Sequence, residues 1–138
     1  MLRLLIPVTN KNGALQAARH AAFLFAERCV SEVELVQVLE PFDEGRAAAF
    51  HSLATLRLHE ERMMSKAMTQ TRAILDDAGV PYHWTRVVGP VVETIAARAA
   101  EKQSDVVLLD ASRLSFITRW WLMARLWRNV QTPVTVLH

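Results

Sequence analysis

Glycine is scarce in this chain: four residues, at positions 13, 45, 79 and 89, and none beyond. Phosphate loops of the GxxxxGK[ST] type and dinucleotide fingerprints of the GxGxxG type are both absent, and each needs glycine where backbone must touch phosphate. Cys29 is the only cysteine, which rules out an intramolecular disulfide and a CxxC metal or redox pair. Its position at the end of an apolar helical pattern predicts a small buried side chain rather than a reactive thiol. Lysine is also rare, with three against thirteen arginines, and the formal net charge of +2 is too small to argue for nucleic acid. No segment approaches the ~18–20 apolar residues of a membrane span. The apolar run of MLRLLIPVTN is too short for a signal peptide and reads as a strand. A cytoplasmic protein with one domain over residues 1–138 is the expectation.

What is present is a folded composition, 51% hydrophobic and 22% charged, arranged in alternating strand and helix patterns. LRLLIPV (2–8) is an apolar run closed by the polar turn TNKN. Between Gly13 and Cys29, the residues Leu15, Ala18, Ala22, Phe25 and Cys29 recur at helical spacing. EVELVQVLE (32–40) is a second strand, ended by Pro41 and the loop FDEGR. Residues 47–78 lack Gly and Pro and favour helix, with Ala48, Leu53, Leu56, Met63, Met64, Met68 and Leu75 supplying a buried stripe. Gly79 suits the C-terminal cap, with Pro81 just beyond. YHWTRVV (82–88) is a third strand, and Gly89-Pro90 precedes a third helix over 91–103. DVVLLD (105–110) is a buried strand, a helix occupies about 116–130, and PVTVL (133–137) closes the series.

Four strand–helix units followed by a last strand imply parallel strands joined by right-handed crossovers. The fold class is therefore α/β: a doubly wound, five-stranded parallel sheet with helices on both faces. In the usual strand order for this pattern, 3-2-1-4-5, the ligand crevice lies beyond the carboxyl ends of strands one and four. Those ends are Pro7-Val8-Thr9 and Leu109-Asp110-Ala111-Ser112.

No catalytic set emerges from the residues, and no enzyme activity is expected. The histidines His20, His51, His59, His83 and His138 are scattered, and HEER at 59–62 lacks the second histidine of HExxH. Asp76-Asp77 precede Gly79 as solvated helix-end residues, so no metal site is expected. Ser112 has no base identifiable in sequence, and a loop hydroxyl is ordinarily a cap or turn residue.

The segments LLIPVTNKNGALQAARHAAFLFA and SDVVLLD…TPVTVLH, with Gly89-Pro90 between, resemble the universal stress protein A family along essentially the whole chain. The resemblance implies an adenine nucleotide alpha hydrolase-like fold and homodimerisation through last strands. Nucleotide-binding members carry G-x2-G-x9-G-[S/T] after the fourth strand and an aspartate after the first. Here Thr9 occupies the aspartate position, while Asp110 and Arg113 occupy the first two glycine positions. A carboxylate facing an incoming phosphate is repulsive. Ser112, Ser115, Arg113 and Arg119 are the compensating donors available. The resemblance thus predicts a non-catalytic stress-response protein without a cofactor. The alternative is an ATP- or AMP-binding module whose crevice uses Pro7, Val8, Thr9, Val38, Asp110, Ser112 and Arg113 in a modified manner.

Three tryptophans, Trp120, Trp121 and Trp127, fall in the last helix, and residues 111–138 hold four arginines and no acid. Helical spacing places Trp120 and Trp127 on the sheet-facing stripe and leaves Trp121 over. Trp and Arg are enriched at interface hot spots, so a protein partner at Trp120, Trp121 and Trp127 is the favoured reading. Nucleic acid and an anionic membrane surface are less favoured, since both require a contiguous exposed face. The last strand, Val134, Thr135, Val136 and Leu137, falls at the sheet edge, where an apolar strand invites a partner. A homodimer follows from that edge.

Overall fold

A computed structural model describes residues 1–9, 13–39, 53–112 and 115–137. The elements are β1 (Leu2–Val8), α1 (Leu15–Ala26), β2 (Val30–Leu39), α2 (Leu53–Asp77), β3 (Tyr82–Val88), α3 (Val91–Glu101), β4 (Val106–Asp110), α4 (Phe116–Asn129) and β5 (Val134–Leu137). All strand pairs are parallel, in the order β3-β2-β1-β4-β5. The order reverses between β1 and β4, and in open sheets of this kind the ligand crevice lies at the carboxyl ends of such a pair.

The period-two alternation of the strands divides the core into two layers. Leu4, Ile6, Val8, Leu35, Leu39 and Leu108 pack with Ala17, Ala18 and Ala21 of α1 and Met64, Met68 and Leu75 of α2. Leu5, Val36, Val38, Val107 and Leu109 pack with Val92 and Ile95 of α3 and Leu126 of α4. The central strands β1 and β2 are apolar on both faces because helices cover both. Each fully buried Leu or Ile contributes about 2 kcal/mol through burial.

Helix α2 carries the expected stripe through Met64, Met68 and Leu75, joined by Ala67 and Thr71. Ala48 and the loop FDEGR lie outside the described residues, as do the side chains of Leu53 and Leu56. Gly79, with φ +70°, ends α2, and the Val80 amide donates to the Leu75 carbonyl at 3.0 Å.

Two expectations are corrected. Cys29 is exposed, because α1 ends at Ala26 and the chain leaves the helical period before reaching it. Arg28 adopts φ 61° there, and the Cys29 amide donates back to the Leu24 carbonyl at 2.9 Å. Trp120 and Trp127 do not face the sheet. Leu126 and Val130 are buried and Leu122 half-buried, so an i, i+4, i+8 aliphatic stripe fills the space over β4 and β5. All three tryptophans of α4 are exposed.

Candidate functional site

The crevice is built from Gly13 and the start of α1 on one side and the end of β4 on the other. Gly13 has φ +75°, and a Cβ there would lie 2.7 Å from Thr71 Oγ1 and 2.9 Å from the Ala67 carbonyl oxygen. Only glycine fits, so the turn presses directly against α2. Thr71 fixes the contact: its hydroxyl accepts from the Ala14 amide at 3.1 Å and donates to the Ala67 carbonyl at 2.9 Å.

Helix α1 begins with no side-chain cap of its own and no acid in its first turn. The missing cap comes from the other side of the crevice. Asp110 Oδ2 accepts from the Gln16 amide at 2.8 Å and from the Ala17 amide at 3.3 Å. Its other oxygen, Oδ1, accepts from the Ser112 amide at 3.0 Å and from the Ser112 hydroxyl. A helix N-terminus attracts anions through its free amides and its dipole. Here the anion is a carboxylate of the same chain, nearly buried and holding four donors.

Ser115 and Arg119, the other candidate donors among the described residues, also bond within the chain. Ser115 caps α4 by accepting from the Thr118 amide at 3.3 Å and donates to Thr118 Oγ1 at 2.8 Å. Arg119 Nη2 donates to the Ala111 carbonyl at 3.3 Å. Asp110 and Ser112 are therefore together, with Thr9 half-buried at the end of β1. Pro7, Val8 and Val38 are buried, and the Val8 and Val38 side chains belong to opposite core layers. Arg113 lies outside the described residues.

Sequence patterns missed two participants. Thr71 sits mid-helix, where a threonine gives no local sign of reaching a distant turn. Gln37 is fully buried on β2 opposite Val8, and its Oε1 accepts from Arg86 Nε at 3.2 Å. Its signal was present: a polar residue at a position that the alternation of β2 turns towards α1 and α2.

A family model described as the universal stress protein family matches residues 1–138. The chain belongs to the universal stress protein family. Solved structures of similar fold include the universal stress protein UspA from Lactobacillus plantarum, 19% identical, with a TM-score of 0.73 over 99% of this chain and 97% of that one. The universal stress protein from Archaeoglobus fulgidus in complex with dAMP is 16% identical, with a TM-score of 0.70 over 100% and 98%. A universal stress protein in complex with cAMP is 16% identical, with a TM-score of 0.60 over 98% and 97%. No curated protein sequence matches the chain. Among the described residues, no group of His, Cys, Asp and Glu is placed to hold a metal, and no helix is long and apolar enough to cross a membrane.

Proposed function

We propose that this universal stress protein is non-catalytic and acts by association, as a homodimer whose nucleotide crevice is closed by its own Asp110. The observation that carries this reading is the Asp110 carboxylate on the Gln16 and Ala17 amides, with Ser112 turned onto it. A phosphate would have to displace that carboxylate and then sit beside its charge. The same bonds argue against Ser112 as a nucleophile. The Ser112 hydroxyl and amide are both held on Asp110 Oδ1, while Oδ2 is engaged by the Gln16 and Ala17 amides.

The homodimer rests on the sheet edge. Among the described residues, strand β5 pairs only with β4, and an apolar groove of about 140 Å³ runs beside it between Met123, Leu126, Trp127, Val134 and Val136. Backbone pairing along an open edge, with side chains filling a flanking groove, is a common way for strands to recruit a partner. Sedimentation at micromolar concentration is expected to report a dimer, and Thr135→Lys to return it to monomer. A wild-type monomer at every concentration contradicts the homodimer.

The rival reading, an adenine-nucleotide module, draws on the two family members solved with cAMP and dAMP. Calorimetry with ATP, ADP and AMP, with and without magnesium, separates the two. No saturable binding at micromolar ligand is expected for the wild type. Asp110→Gly is expected to gain binding, since it frees the α1 amides. Micromolar saturable binding by the wild type puts the rival in first place.

A further inference from the structure

The side of α4 that points directly away from the core is apolar and basic. A surface helix ordinarily turns charged and polar residues outward. With about 100° per residue, Ile117, Trp121, Ala124 and Arg128 cluster opposite the buried Leu126, and Trp120 flanks them. Ile117 is 69% exposed, Trp120 67% and Trp121 65%. Arg128 is exposed beside them, as is Arg125, whose guanidinium reaches Glu93 of α3 at 3.2 Å. No acidic residue occurs anywhere from 111 to 138. Ile117, Trp121 and Arg128 do not line the groove beside β5, so this face does not depend on the homodimer.

We propose that the outer face of α4 docks on an anionic lipid bilayer, with Trp120, Trp121 and Ile117 at the headgroup–acyl boundary and Arg128 on lipid phosphates. The choice of occupant follows from charge and from apolarity together. A second copy related by a twofold axis would set this face against itself, bringing arginine towards arginine in a segment with no acid of its own. A single-stranded nucleic acid would stack on the tryptophans and leave Ile117 without an apolar partner. A bilayer interface meets both needs at once: tryptophan and aliphatic side chains enter it, and arginine meets the anionic headgroups. It also asks for no complementary groove.

The test uses the full chain with vesicles of phosphatidylcholine containing about 30 mol% phosphatidylglycerol, compared with phosphatidylcholine alone. A Trp84→Phe background removes the fluorescence of the tryptophan on β3. The expected result is a blue shift of tryptophan emission and cosedimentation with the anionic vesicles, both lost at high salt. Trp120→Ala combined with Trp121→Ala, and separately Arg128→Gln, should each lower the bound fraction about fivefold or more while circular dichroism stays unchanged. Absence of cosedimentation and blue shift in the wild type overturns the proposal. So does wild-type binding by both variants. Lipid-independent self-association that the tryptophan pair abolishes, without vesicle binding, assigns the face to a second copy instead.

Discussion

The crevice between β1 and β4 and the outer side of α4 are opposite solutions to surface chemistry. In the crevice, polar groups that would face a ligand are bonded inward: Asp110 to the start of α1, Ser112 to Asp110, Ser115 to its own helix, Arg119 to Ala111. On α4, large apolar groups that would ordinarily be bonded inward by packing face water instead. On the function proposed above, the site is closed by charge rather than by bulk. The tryptophans of α4 are exposed, and it is the Asp110 carboxylate that sits on the first amides of α1.

Adjacent residues of α4 give the largest test of that comparison. Leu126 is 1% exposed and Trp127 is 87% exposed. Leu126→Ala should cost about 3 kcal/mol, from lost burial and the cavity left behind. Trp127→Ala, although it removes the larger side chain, should change stability by less than about 0.5 kcal/mol. Urea denaturation of both variants checks this. A large loss at Trp127 in the monomer would mean that the helix is turned differently.

Gly13→Ala tests the other side of the comparison. It combines a left-handed backbone with a Cβ set against Thr71 and the Ala67 carbonyl. The expected loss is about 2–3 kcal/mol. Thr71→Val removes the hydroxyl that accepts from Ala14 and should cost about 1 kcal/mol. Asp110→Ala falls between them, at about 2 kcal/mol, because it uncaps α1 and leaves partly buried amides unsatisfied. If Asp110→Ala is neutral, the carboxylate does not hold the crevice shut.

The layered architecture was legible because each strand–helix switch is marked by a change of period and by punctuation such as Gly79 and Gly89-Pro90. The parallel sense followed from the crossover rule, and the strand order from the usual order for this pattern, rather than from any residue. The placement of Asp110 at the turn was legible too, but its partners were not. They are backbone amides of Gln16 and Ala17, ninety-four and ninety-three residues earlier, and amides carry no sequence signature. The rotation of α4 was misread for a related reason. Periodicity groups residues by angle, and in α4 both the Leu122, Leu126 and Val130 stripe and the tryptophan stripe are apolar. Which one packs depends on the shape of the sheet surface, where β5 has only four residues to cover.

The smallest expected effect concerns how α4 is tied down beside α3. Arg125 and Glu93 meet at 3.2 Å, with both side chains 55% exposed. Water screens such a pair, and ordering two long side chains offsets much of the attraction. Glu93→Gln should therefore shift stability by no more than about 0.5 kcal/mol, a small fraction of the Leu126→Ala effect. A loss of 2 kcal/mol or so in Glu93→Gln would mean that charge, and not the aliphatic stripe, holds α4 on the sheet. The urea midpoints of Glu93→Gln and Leu126→Ala together then rank the two forces, since both residues help to hold the same helix.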